Sequence, residues 1–182
     1  MQKQNYRPPR LHTLRNEKQA ERRQRGEDFQ EECRRSWRKI PNLWRLRITD
    51  GGILGTRPAD ELILLEHVNL LCEEKRTDSD RFTLSMLRTD QLKGLLKFEQ
   101  ALDRNVGLVL VSFLNEAVDV AYAFRLLNAL VFMKQVGRQY ITLEELQQGK
   151  IETVNLPRIT IDGKSGYDLK GVLDCTYTKA IT

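Results

Sequence analysis

At 182 residues, 40% of them hydrophobic and 30% charged, the chain is long enough for one domain with a real core and has the balance of a water-soluble globular protein. Its net charge of +5 is unevenly spread: residues 1–47 carry 14 Lys/Arg against 6 Asp/Glu, and the remainder is net −3. A basic arm on a near-neutral body points to a polyanionic partner. Cys33, Cys72 and Cys175 are far apart, which excludes a disulfide framework and a zinc site, and Cys72 reads as a small buried hydrophobe. His12 and His67 fall in the basic arm and in a turn, which argues against histidine-based catalysis. The polar, basic opening MQKQNYRPPR is no signal peptide, and a reducing cytoplasm is the expected compartment.

In chain order, residues 1–24 read as a basic arm, partly extended or disordered and partly helical, ahead of one domain over 25–182. Residues 16–38 are rich in helix formers, with an interruption at Gly26 and a fresh start near Glu27 or Asp28. Phe29, Cys33 and Trp37 recur at spacing four and form one apolar stripe, with Arg34, Arg35 and Arg38 opposite. LWRLRI, 43–48, alternates apolar and basic residues and reads as a strand with one wet face. Trp44 in such a strand is more often core than a base-stacking platform. A Gly-rich loop, TDGGILGTRP, precedes an antiparallel strand pair near 61–66 and 69–76.

TDSDRFT reads as a polar loop, followed by a helix over 85–103 with Leu87, Leu92, Leu95, Leu96 and Leu102 inward. VGLVLVSF, 106–113, is a continuous apolar run, the pattern of a central strand covered on both faces, with AVDVAYAF as its neighbour. Asn115, Glu116 and Asp119 interrupt this region and exclude a membrane span. Helices near 124–134 and 142–148, an edge strand in LPRITID and a helical turn in GYDLKGVL complete the chain. The order predicts an α/β fold, a mixed β-sheet flanked by helices.

The chemistry concentrates in PADELILLEHVNLLCEEKR. Alternate strand side chains share a face, so Leu71, Glu73 and Lys75 project together while Cys72 and Glu74 point the other way. Asp60, just ahead of the preceding strand, can converge on Glu73 from the neighbouring segment. Two carboxylates at ~4 Å repel by roughly 4 kcal/mol at an effective dielectric of ~20. A divalent cation removes that conflict, and Mg²⁺ favours one or two carboxylates with waters and phosphate oxygens. Lys75 on the same face can stabilise an anion or position a water, the parts of metal-assisted phosphodiester hydrolysis. The alternative is a solvent-exposed strand end with a surface Glu–Lys pair, which contributes only ~0–1 kcal/mol.

Pro58-x-Asp60 followed by Glu73-Glu74-Lys75, thirteen residues after the acid, resembles the PD-(D/E)XK nuclease signature, and the order of further segments resembles the RecU-type Holliday junction resolvases within it. RGEDFQEEC (25–33) is similar to that family's opening helix. FTLSMLRTDQLKGL (82–95) is similar to its segment ending in a glutamine, here Gln91. NVGLVLVSF and ITLEELQQGKIETVNLPRI follow in the family's order. The resemblance covers roughly residues 25–160. It implies a restriction-endonuclease-like sheet, Mg²⁺ or Mn²⁺ held by Asp60, Glu73 and the Glu74 backbone carbonyl, and catalytic roles for Lys75 and Gln91. It also implies a homodimer that cuts four-way DNA junctions. Three features depart from the family. Gln30 stands where its helix glutamate would be, with Glu31 as the alternative ligand one residue on. Asp90 replaces its histidine. LWRLRITDGGILGTRPAD is too short for the stalk that holds a junction centre.

The leading expectation is therefore a metal-dependent DNA endonuclease acting on branched DNA in recombination or repair, with no membrane association. Phosphate contacts are expected from Arg22, Arg23, Arg25, Arg34, Arg35 and Arg38 on the basic helix and from Arg57 and Arg76 flanking the site. The alternatives are a structure-specific or single-strand nuclease of the same fold, and a non-catalytic nucleic-acid-binding protein.

Overall fold

A computed structural model describes residues 11–49 and 57–177, and the side chains of 17–49 and 57–173. The expectations for residues 1–10, for the loop at 50–56 and for the side chains of His12 and Cys175 lie outside the described residues. The fold is a mixed six-stranded sheet with helices on both faces. Helix α1 (Leu11–Trp37) leads into β1 (Trp44–Arg47), β2 (Glu61–Leu64) and β3 (Asn69–Thr77). Then come β4 (Arg81–Thr83), a 3-10 turn at Leu84–Met86, and α2 (Thr89–Ala101). The chain continues through β5 (Asn105–Leu114), β6 (Asp119–Arg125), α3 (Leu126–Gln135), β7 (Tyr140–Thr142) and α4 (Leu143–Gln147). It closes with β8 (Val154–Asn155), β9 (Arg158–Ile161), β10 (Lys164–Tyr167) and α5 (Lys170–Tyr177).

The main sheet runs β1-β2-β3-β5-β6-β8. Only β3 and β5 pair in parallel, because α2 crosses over between them; the neighbouring pairs are antiparallel. β5 is the continuous apolar run, and the two layers that cover it explain why it has no polar face. On one face the stripe Phe29, Cys33 and Trp37 of α1 packs, fully buried, with Tyr167 of β10 and Val172 of α5 against Ile63, Leu70, Cys72 and Leu108. On the other face Leu95 of α2 and Leu126, Ala129 and Met133 of α3 cover Leu71, Val109, Val111 and Phe124.

Several local expectations change. α1 passes through Gly26 without a break and runs across the expected junction between arm and domain. An interior glycine costs a helix only ~1 kcal/mol, and Arg23–Glu27 and Gln24–Asp28 bonds, both 2.9 Å, bridge the position. Within TDSDRFT, Phe82 is buried and β4 pairs with β7, a strand that one apolar residue could not announce. The 85–103 helix begins only at Thr89, and Leu102 lies beyond its end, 54% exposed. The LPRITID segment pairs with β10 in a separate hairpin, and β8 forms the edge of the main sheet. Trp44 is 52% exposed, not core, because β1 is an edge strand.

Candidate active site

The register carries the strand alternation into three dimensions. Glu73 pairs with Val109 and Lys75 with Val111, so both side chains lie on the α2 face. Glu74, like Cys72, faces α1. Asp60 sits in a bend held at both backbone ends: its N–H donates to the Cys72 carbonyl at 2.9 Å, and its carbonyl accepts from Ile48 N–H at 2.9 Å. These bonds continue the sheet one residue past β2 and place Asp60 beside the middle of β3.

Each carboxylate is held by specific donors. Asp60 Oδ2 accepts from the Glu74 backbone N–H at 2.8 Å. Its Oδ1 accepts from Gln30 Nε2 at 2.9 Å and from the Arg57 guanidinium. Glu73 Oε1 pairs with Lys75 Nζ at 2.6 Å and accepts from Gln91 Nε2. Gln91 is oriented by the start of α2: its Oε1 accepts from the Arg88 backbone N–H at 2.9 Å and lies 3.4 Å from Lys75 Nζ. Its amide oxygen engaged by donors, Gln91 turns its NH₂ to Glu73. The same contact closes the side-chain half of a capping box at N3.

Gly94 sets the distance between these parts. A Cβ there would meet Pro58 Cβ at 2.5 Å and Pro58 Cα at 2.9 Å. Only a glycine lets α2, which carries Gln91 to Glu73, approach Pro58 so closely.

Electrostatically the site is under tension. Burial, and then the negative charge of Asp60, push Glu73 up to about 7 from its ordinary 4.5, with Lys75 opposing the shift. Glu73 Oε2 is buried with no hydrogen-bond partner. A buried orphan acceptor beside a second carboxylate fits a hard divalent cation, which takes one or two carboxylates and completes its shell with water. Among the described residues no group of three or more His, Cys, Asp or Glu converges.

Glu31 does not join them. It is half-exposed and pairs with Arg34 at 3.2 Å and Arg35 at 3.8 Å. The helix position that reaches Asp60 is Gln30. On the α1 face lies a second buried pair that the strand pattern did not flag: Glu61, opposite Cys72 in register, and Glu74. Burial raises both, Glu61 to about 7 and Glu74 well above its ordinary value. Arg45 bonds Glu61 at 3.1 Å, while neither Glu74 oxygen has a hydrogen-bond partner among the described residues.

The expected DNA-contacting arginines divide. Arg22, Arg23, Arg34 and Arg57 line one cleft of about 660 Å³ that also takes in Gln30. Arg38 is exposed at the end of α1. Arg25 is tied to Asp78 at 2.9 Å. Arg35 is half-buried and donates to the Ser165 carbonyl of β10. Arg76 is a correction: being next to Lys75, it must face α1. There its buried guanidinium pairs with Glu32, bonds Ser112 Oγ at 3.1 Å and Tyr167 Oη at 3.2 Å, and lies 5.0 Å from the Phe29 ring centroid. It is a clamp between layers, and nearness in sequence to the site misplaced it.

No protein-family model matches the chain, and no curated protein matches it. Among solved structures it is similar to Hjc from Archaeoglobus fulgidus, a Holliday junction resolvase from an archaeal hyperthermophile, at 14% identity over 57% of this chain and 77% of that one, with a TM-score of 0.39. It is also similar to D212, a nuclease from a fusselovirus, at 12% identity over 97% of this chain and 99% of that one, with a TM-score of 0.30. At such TM-scores neither likeness carries an argument about this chain, and its chemistry is read from its own residues. No described helix is long and apolar enough to cross a membrane.

Proposed function

We propose that the protein is a Mg²⁺- or Mn²⁺-dependent DNA endonuclease. The observation that carries this reading is the buried pair Asp60–Glu73, whose like charges are brought together with Lys75 and Gln91 aimed at Glu73. Asp60, Glu73 and the Glu74 carbonyl would hold the ion, which when bound supplies Lewis acidity and a water of lowered pKa. Lys75 keeps its ammonium 2.6 Å from Glu73 Oε1, on the face where a phosphate under attack would develop negative charge. Gln91 fixes the Glu73 carboxylate from α2, and Gln30 and the Glu74 N–H fix Asp60 from α1 and β3. Burial and the charge of Asp60 raise Glu73 to about 7, so holding one ion with both carboxylates is expected to release protons near neutral pH.

Branched DNA, with the four-way junction as the first structure to examine, and a homodimer as the acting species follow from the resemblance of the motif order to the RecU-type resolvases. The absent stalk favours a broader range of structures than the junction alone. The test is cleavage of synthetic four-way junctions, flaps and plain duplex, with Mg²⁺ and with a chelator. Cutting of the branched forms only, and only with Mg²⁺, is expected. Equal cutting of all three removes junction specificity, and no cutting by a folded protein removes the enzyme.

A further inference from the structure

The cleft beside Asp60 has a wall that the catalytic reading does not explain. Five arginines line it, Arg22, Arg23, Arg34, Arg47 and Arg57, against one carboxylate, Glu27. Three of them have partners inside the protein: Arg23 with Glu27 at 2.9 Å, Arg34 with Glu31 at 3.2 Å, and Arg57 with Asp60. The guanidinium groups of Arg22 and Arg47 form no hydrogen bond or ion pair with a described side chain, although the Arg22 charge is felt at Asp78. Arg47 comes from edge strand β1, where it is exposed and paired in register with Glu61, one residue past the bend that carries Asp60.

The second observation is Gly26. It sits inside a 27-residue helix, where glycine costs ~1 kcal/mol relative to alanine. A Cβ built on it meets nothing within 4 Å among the described residues, so packing between them does not require the glycine. It does form part of the cleft wall. A bare stretch of helix backbone bordered by arginines suits a ligand that approaches the backbone closely and carries repeated negative charge.

We propose that this cleft binds a phosphodiester backbone, leading one strand of DNA past Gly26, between Arg22 and Arg23 of α1 and Arg47 of β1, to the carboxylate of Asp60. The inference deepens the nuclease reading and rests on it for the polymer's identity. Arg47, absent from the sequence-based set of contacts, becomes an anchor, while Arg35 and Arg76 are excluded by their internal bonds.

The test is fluorescence anisotropy with labelled single-stranded and duplex oligonucleotides in chelator, where nothing is cut. Arg47→Ala should weaken binding about tenfold, as loss of a charge-assisted contact does. It should also lower the salt slope by about 0.7 for a single strand or about 0.9 for a duplex. Gly26→Ala should raise the thermal midpoint yet weaken binding, and Gly26→Gln should weaken it further with charge unchanged, a trend opposite to that of an unfolding defect. The form bound more tightly identifies the strand state, and either supports the cleft if Arg47→Ala weakens it. The proposal is overturned if Arg47→Ala changes binding no more than Arg104→Ala, at an exposed arginine outside the cleft, or if both Gly26 variants bind like the parent. A parent that cuts DNA while Arg47→Ala binds normally sinks the cleft alone. A parent that never cuts while Arg47→Ala loses binding sinks the nuclease alone.

Discussion

Replacing Glu73 by glutamine keeps the side chain's shape and its acceptor for Gln91 but removes its charge. Burial and Asp60 raise Glu73 from 4.5 to about 7 in the folded protein, a shift already net of the help from Lys75. Between those values the folded state holds a proton that the unfolded chain has released, so parent stability falls as pH rises through the window and stays lower above it. Each pKa unit is about 1.4 kcal/mol, which makes the total on the order of 3 kcal/mol. Glu73→Gln has no such loss. In chelator, its stability relative to the parent should therefore grow by roughly 2–3 kcal/mol between about pH 5 and about pH 8. Glu61 and Glu74 also titrate from raised values, but they do so in both proteins and largely cancel in the difference. Urea unfolding at the two pH values measures it. An equal difference at both, or a variant less stable than the parent near pH 8, would refute the claim that Asp60 and Glu73 are held together against their charge.

Three further outcomes follow from the same geometry. Gly94→Ala pushes α2 off Pro58, so it should cost about 1–3 kcal/mol in unfolding and lower turnover by shifting Gln91 relative to Glu73. Arg76→Met removes one partner of the half-buried Glu32, which keeps Arg158 at 3.2 Å and the Tyr167 hydroxyl, and should cost about 1–3 kcal/mol while leaving oligonucleotide affinity near that of the parent. Gln30→Glu puts a third carboxylate against Asp60. It should lower stability in chelator by about 1 kcal/mol or more and tighten Mn²⁺ binding in calorimetry.

The parts of the fold legible in the sequence are those with a clear period. Phe29, Cys33 and Trp37, four apart, are the buried face of α1, and the unbroken apolar run at 106–113 is the doubly covered strand β5. The antiparallel β2–β3 pair, and with it the placement of Glu73 and Lys75 on one face, came from period two and short turn length. What escaped depends on contacts between distant segments. β4 exists because Phe82 finds Ile141, 59 positions later, in a stretch that reads as polar loop. Trp44 is exposed because no described strand pairs with the outer side of β1. Glu31 was a plausible ligand because it is an acid one position from the right place, yet one residue is about 100° on a helix, enough to turn it away. Arg76 was misplaced against a rule already applied to its neighbour: if Lys75 faces α2, the next residue cannot.

Asp60 is proposed to organise a cation site at which DNA is cut. The most direct measurement compares parent and Asp60→Asn on a branched DNA substrate, recording both cleavage with Mg²⁺ and binding in chelator. The account predicts that the variant binds as the parent does and cleaves at least about a hundredfold more slowly, the scale expected when an electrostatic group of the site is removed. Cleavage by Asp60→Asn at the parent's rate would contradict it.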